Sequence, residues 1–243
     1  MTATRVLTWN LFHGRSVPET PHSLLPEFAA LLASWEWDVA LLQEVPPWWP
    51  QWLARELGAE QRSALTSRNS LPGLRQALAE RRPELLKSNG GGCNAILSRV
   101  PIADHSTLRL RSWPERRVAQ LARLRDGTCV VNLHASTRPA RAMQELERLW
   151  PRALAWAEPD RLILGGDLNV RSPAPAPATV IHAAASGVDH VFARGLIPTT
   201  ASDSRSAAPG ALDRPSREIV LDGRRVELSD HAPLLVRLQA QAS

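Results

Sequence analysis

Six apolar segments of this chain end in residues that can hold a metal ion or move a proton. Asn10 closes the first; Glu44 follows Leu41-Leu42-Gln43; His134 follows Val130-Val131-Asn132-Leu133. Asp167 and Asn169 follow Leu162-Ile163-Leu164-Gly165-Gly166, Asp189 sits within 187–192, and Asp230 with His231 lies in 228–234. Any one of these alone is more often a turn or cap residue. Six in one chain form a pattern, because loops at strand ends are where α/β folds place their sites. The set offers the carboxylates of Glu44, Asp167 and Asp230, the amide oxygens of Asn10 and Asn169, and two histidines. Carboxylates outnumber imidazoles and no cysteine joins them, which implies Mg²⁺ or Mn²⁺ rather than zinc.

Presenting these groups at strand ends requires alternating strands and helices. Residues 5–11 alternate Val6, Thr8, Asn10 with Leu7, Trp9, Leu11, a strand with one more polar side. Leu24, Leu25, Phe28, Leu31, Leu32 and Trp35 recur at helical spacing, with Ser23 as cap and Pro26 in the first turn. Residues 39–43 read as a buried strand, so the chain opens strand, helix, strand. Short helices are expected over 46–57, carrying Trp48, Trp49 and Trp52, and over 71–86, broken near Pro83. Gly90-Gly91-Gly92 turns into a strand at 93–97; without a following Gly-Lys-Ser/Thr it is no phosphate loop. Asp126-Gly127 joins 117–125 to 128–134 as a hairpin. Residues 138–157 are helical, and Pro151 predicts a kink or a split into two helices. The strand at 162–164 is expected to stop at Gly165-Gly166, loops to cover 173–177 and 202–215, and strands to return at 188–192, 218–221, 226–228 and 232–238. No repeat or boundary divides 1–243, which reads as a single domain.

Composition narrows the setting. The 243 residues are 44% hydrophobic and 22% charged, which excludes a disordered or fibrous chain. No apolar run reaches the roughly 20 residues of a membrane-spanning helix, and residues 1–10 lack the pattern of a signal peptide. Cys93 and Cys129 cannot build a disulfide framework, so the expected place is the cytoplasm with both thiols reduced. Lys87 is the only lysine among 29 basic residues, and the formal charge is +5. That charge permits an anionic partner without requiring one, since a bias of composition explains the arginines equally well.

The ordered segments Thr8-Trp9-Asn10, Leu42-Gln43-Glu44, Asn94-Ala95-Ile96-Leu97-Ser98-Arg99, Asn132-Leu133-His134, Gly166-Asp167-Leu168-Asn169, Val188-Asp189-His190-Val191-Phe192 and Ser229-Asp230-His231-Ala232-Pro233-Leu234 span nearly the whole chain. In this order they resemble the endonuclease/exonuclease/phosphatase superfamily, which includes deoxyribonuclease I-like enzymes. The resemblance implies an α/β four-layer sandwich, two mixed β-sheets packed face to face with helices outside. It also implies roles. Glu44 becomes the main metal carboxylate, with Asn10 and Asp230 beside the metal or its waters. Asp167 and Asn169 activate water and orient phosphate, Asp189 fixes the tautomer of His231, and His134 contacts the scissile phosphate. Either His231 or Asp167 could take the proton. A bound divalent ion and an oriented histidine match what hydrolysis of an anionic phosphodiester needs.

The implied activity is a Mg²⁺- or Mn²⁺-dependent phosphodiesterase, foremost a nuclease acting on nucleic acid as a monomer without a membrane anchor. The alternative on the same machinery is a phosphoesterase acting on a phospholipid head group or small phosphate ester. A catalytically dead binding module is disfavoured by retention of every expected polar residue. Arg117, Arg138 and Arg171 flank the active segments and are the candidates for gripping phosphate. The chain has no tyrosine, so relatives that use one near the phosphate are poor substrate guides. His134 separates it from the abasic-site endonuclease branch.

Overall fold

Two-residue alternation fixes how the first strand is seated. In the computed structural model, which describes residues 3–66, 69, 71–81, 92–199 and 214–241, β1 is Thr4–Asn10. Leu7 and Trp9 enter one hydrophobic layer and Val6 another, so Thr8 and Asn10 share the side of Val6. Residues 6–10 are all buried. The more polar side thus faces a second sheet rather than water.

The further strands are β2 (Ser16–Val17), β3 (Val39–Val45), β4 (Glu60–Leu65), β5 (Cys93–Ser98), β6 (Ile102–Arg111), β7 (Arg117–Leu124), β8 (Cys129–His134) and β9 (Leu162–Asp167). After them come β10 (Ile181–Ser186), β11 (Asp189–Arg194), β12 (Leu196–Pro198), β13 (Glu218–Leu221), β14 (Arg224–Leu228) and β15 (Leu234–Ala240). Helices are α1 (Leu25–Ser34), α2 (Trp49–Glu56), α3 (Pro72–Arg81) and α4 (Pro139–Trp156). One six-stranded sheet runs β12-β15-β1-β3-β5-β4, a second runs β10-β11-β9-β8-β7-β6, and β13-β14-β2 form a small third.

Each large sheet holds one parallel pair, β1 with β3 and β8 with β9, among antiparallel neighbours. A parallel pair needs a crossover, and α1 and α4 lie in those connections. Phe28 and Leu32 of α1 and Leu53 of α2 pack on Leu7, Trp9 and Leu42, outside the first sheet. Leu146, Leu149 and Ala153 of α4 pack on Val131, Leu133 and Leu164, outside the second. Val6, Leu41, Ile96, Val130, Ile163, Val191 and Val236 fill the space between the sheets. The expected four-layer α/β sandwich is the observed one. The four parallel strands end near Asn10, Glu44, His134 and Asp167, with Asn10 in register with Gln43 and His134 with Asp167.

Local expectations need amendment in five places. No side chain caps α1, whose cap position is Leu24 and not Ser23. Helix α4 is one 18-residue helix with Pro151 inside it. Leu146, Leu149, Trp150 and Ala153 anchor its apolar face on both sides of the proline, which itself is exposed. Strand β9 runs through Gly165 and Gly166 to Asp167, because pairing on both edges holds the glycines extended. The last strand begins at Leu234, leaving Asp230 and His231 in the preceding turn. Finally β2, β4, β6, β10 and β12 had no sequence signal; β6, for one, is mostly polar and only its two residues Ile102 and Leu110 are buried. The expectations over 82–91 and 200–213 lie outside the described residues.

Candidate active site

The site is supported by a polar layer buried between the sheets. Asn132 of β8 donates through Nδ2 to the carbonyls of Leu42 and Ala95 in the other sheet, both at 3.0 Å. Its Oδ1 accepts from Gln43 Nε2 at 2.8 Å, and Gln43 reaches Thr8 as well. These bonds tie β1, β3, β5 and β8 together directly beneath the strand ends. Buried amides with partners on both sheets fix one sheet against the other.

Above that layer, imidazoles and carboxylates alternate across the cleft. His13 Nε2 lies 3.1 Å from Glu44 Oε2, and Glu44 Oε1 lies 3.8 Å from His134 Nε2. His134 Nε2 is 3.5 Å from Asp167 Oδ2, which is 3.8 Å from His231 Nε2. His231 Nδ1 donates to Asp189 Oδ2 at 3.0 Å. The structure thus brings together Asn10, Glu44, His134, Asp167, Asn169, Asp189 and His231, drawn from both sheets. Asp230 is exposed and acts on His231 and Asp189 through its charge.

Each group is held by identifiable bonds. Asp167 Oδ2 accepts from Asn10 Nδ2 at 3.0 Å, and Oδ1 accepts the backbone N–H of Asn169 at 2.9 Å, an Asx turn. Asn169 Nδ2 then donates to the carbonyl of Ala135. Asn10 Oδ1 accepts the N–H of Phe12, and that second Asx turn swings His13 towards Glu44. Ser229, fully buried, donates to the carbonyl of Asn10 at 2.6 Å and accepts the N–H of His231 at 3.0 Å. Trp9 Nε1 donates to the carbonyl of His231. Among the described residues seven non-glycine residues have positive φ, and Phe12, His13, Glu44, Asn169 and Ser229 are five of them. Left-handed backbone of this kind costs energy and persists where surrounding structure enforces it, most often at functional sites.

Electrostatics separates the members. Burial, reinforced by the Arg117 charge, holds His134 well below the ordinary imidazole value, so it is neutral. Burial opposes a charge on His231 too, but its hydrogen bond to Asp189 and the charges of Asp189, Asp167 and Asp230 prevail and lift it to about 9. Burial raises Asp167, and lifts Asp189 to about 6 against the pull of His231. Near neutral pH this leaves an imidazolium on a carboxylate, facing a second carboxylate that is poorly solvated.

Of the three candidate arginines, only Arg117 reaches the centre. It is buried, donates to Glu115, keeps Nε–H without a partner among the described residues, and bears electrostatically on His134 and Asp167. Arg138 and Arg171 are exposed. A divalent ion fits the donors present. Glu44 accepts no hydrogen bond among the described residues, and donor atoms of Asp167, Asp189 and His231 all lie within 4.8 Å of one another.

His13 was invisible in the sequence because it ends no strand; its only signal is its place three residues after Asn10. Trp113 is the other addition. It is 79% exposed in the β6–β7 loop, whose Arg116 donates to the carbonyl of Thr66. Trp49, by contrast, is buried against Phe28.

A sequence model described as the Endonuclease/Exonuclease/phosphatase family matches residues 7–231. The chain belongs to this family. Members of the endonuclease/exonuclease/phosphatase family cleave phosphate esters, so the chain is assigned to hydrolytic phosphoesterases. No curated protein matches the sequence. Among solved structures, an endonuclease/exonuclease/phosphatase from Beutenbergia cavernae is similar at 18% identity and TM-score 0.67, over 99% of this chain and 72% of that one. Truncated TDP2 from Caenorhabditis elegans is 15% identical at TM-score 0.67, over 98% of each chain. A humanized D. rerio TDP2 is 16% identical at TM-score 0.64, over 99% and 100%. At these identities the likeness is one of fold, and roles of single residues come from the geometry above.

Proposed function

We propose that the protein is a divalent-metal-dependent phosphodiesterase that hydrolyses nucleic acid, using Asp167 as base and His231 as acid. When bound at Glu44, a divalent ion would neutralise phosphate charge and polarise phosphorus. Arg117 then receives a phosphate oxygen on its unpartnered Nε–H. Asn10 and Asn169 orient Asp167, whose raised proton affinity suits it to take the proton of the attacking water. His231, charged and oriented by Asp189, donates a proton to the leaving oxygen as the phosphorus–oxygen bond breaks. His134, neutral, hydrogen-bonds a phosphate oxygen.

The observation that carries the reading is Arg117: a buried guanidinium with a donor unused among the described residues, beside paired catalytic groups, is an anion receptor. The preference for nucleic acid rests on Trp113, whose exposed indole stands four residues from Arg117 and can stack on a base. A second reading on the same indole is a phospholipid head group, since a hairpin tip bearing tryptophan can enter a lipid surface.

A turnover panel tests both: plasmid, oligonucleotide, sphingomyelin vesicles and inositol phosphates, with Mg²⁺ or Mn²⁺ and with EDTA. Cleavage of DNA or RNA that stops in EDTA and is crippled by Glu44→Gln is expected. Full turnover in EDTA would overturn the metal role, and turnover of vesicles alone would move the assignment to the lipid reading.

A further inference from the structure

His13 and Glu44 approach each other in a way that ordinary pairing does not explain. Their atoms are 3.1 Å apart, yet no hydrogen bond joins them, whereas His231 and Asp189 at 3.0 Å are aligned for one. Among the described residues the Glu44 carboxylate accepts no hydrogen bond and the buried His13 Nδ1 has no partner. Both residues hold left-handed backbone, φ +54° at His13 and +49° at Glu44. Gly92 leaves room for the imidazole, since a Cβ there would come within 3.3 Å of His13 Cε1. Strain at two facing residues, together with space cleared for the ring, is spent on bringing one nitrogen and one oxygen lone pair to the same place.

Two donors about 3 Å apart have the spacing of adjacent ligands on an ion with bonds of about 2.1 Å. Resting on the reading that an ion binds at Glu44, we propose that His13 Nε2 is a ligand beside the Glu44 carboxylate, and that this mixed nitrogen–oxygen seat takes Mn²⁺ in preference to Mg²⁺. Mg²⁺ is a hard cation that keeps oxygen ligands and water, while imidazole nitrogen suits first-row transition ions. His134 Nε2, 3.8 Å from the other Glu44 oxygen, adds to the nitrogen character of the surroundings.

The test is binding, independent of turnover. The full chain is titrated with Mn²⁺ by electron paramagnetic resonance, Mg²⁺ is measured by competition, and nitrogen modulation is recorded on the bound Mn²⁺. The variants are His13→Asn, which tolerates left-handed backbone and offers oxygen, and His13→Gly; circular dichroism melts confirm their folding. The expected result is an order-of-magnitude or greater loss of Mn²⁺ affinity in both, with weaker nitrogen modulation and Mg²⁺ affinity held in His13→Asn. The ratio of Mn²⁺ to Mg²⁺ affinity then falls about tenfold. Glu44→Gln should lose both ions. Mn²⁺ binding that needs Glu44 but is indifferent to His13 would overturn the proposal and leave the ion at Glu44 standing. Wild-type protein that binds neither ion would overturn both.

Discussion

Gly166 is the position at which one methyl group should do most damage. It lies in β9 with φ +141°, a region essentially reserved for glycine, paired with Leu133 on one side and His190 on the other. A Cβ there would sit 1.8 Å from the carbonyl oxygen of Leu133, where contacts under 3.0 Å are not tolerated, so the strands must part by about 1.2 Å. That is a quarter of the ~4.8 Å strand spacing. Overpacking of this kind costs ~1–3 kcal/mol and the backbone strain a similar amount, so Gly166→Ala should lose ~4 kcal/mol. For a chain of this size, ~2 °C per kcal/mol gives a drop in Tm of about 8 °C. The next register pair is His134 with Asp167, so the same displacement enters the site, where an error of about 1 Å can cost ~100-fold in rate. Gly187→Ala is the control: φ is +65° but nothing lies within 4 Å, so only ~1 kcal/mol of left-handed strain is expected. Thermal melts and turnover of both variants decide the matter. If Gly166→Ala melted within 2 °C of Gly187→Ala and kept its activity, the reasoning from close approach to function would be refuted.

Asp189→Asn should lower the titration midpoint of His231 from about 9 by about one unit or more in metal-free protein, seen by NMR of the imidazole; an unchanged midpoint would remove Asp189 as its partner. Burial holds His182 and His190 below the ordinary 6.5, with His190 Nε2 donating to the carbonyl of Val170 and its Nδ1 paired to His182 Nε2 at 2.9 Å. At these two histidines the folded state therefore binds fewer protons than the unfolded one below about pH 7, and their contribution to stability is full above that pH and lost as pH falls. In urea melts at pH 7.5 and 5.5, His182→Phe should lose less stability on acidification than wild type, and an equal loss would contradict the neutral pair. Arg117→Ala should cost ~10²-fold or more in turnover, while Arg138→Ala and Arg171→Ala, exposed, should change only the salt dependence of DNA binding; the reverse order would displace Arg117 as phosphate receptor. Trp113→Ala should raise KM for single-stranded DNA by ~5-fold or more and leave a small phosphodiester such as bis(p-nitrophenyl) phosphate unaffected; equal effects on both would deny it a stacking role.

Much of this architecture is legible because burial writes itself into periodicity. Alternation in β1, the hairpin at Asp126-Gly127 and the apolar stripe of α4 are local signals, and the fold obeys them. Strands such as β6 and β10, partly exposed and short of large buried apolar residues, leave no such trace, since pairing with a neighbour defines them. Pro151 failed as a breaker for a related reason: the contacts of α4 with the second sheet outweigh one missing backbone bond. In each case the deciding interaction lies far away in sequence, where no local window can register it.

The site was legible in residue type, but which of its polar residues only hold structure was not. Gln43 and Asn132 are polar residues in apolar strands one position before, or two before, the groups that do chemistry, and by type alone they look equally reactive. The hydrogen bonds separate them. Asn132 spends both ends of its amide on the opposite sheet, and Gln43 donates through Nε2 to Thr8, Leu41 and Asn132, its Oε1 alone lacking a partner among the described residues, so these residues hold structure. Among the described residues Glu44 has neither oxygen hydrogen-bonded and Arg117 keeps a donor unused. A fully bonded polar group gains nothing from a ligand, because binding would first have to break what it already has. An unsatisfied one gains the whole interaction. The same criterion brings in His13, which the sequence hid behind a turn set by Asn10 and Phe12, and whose Nδ1 lacks a partner among the described residues. For Glu44, Arg117 and His13 that unmet demand is created only when the two sheets close over one another, whereas Asp167, hydrogen-bonded at both oxygens, draws its capacity from the proton affinity that burial gives it.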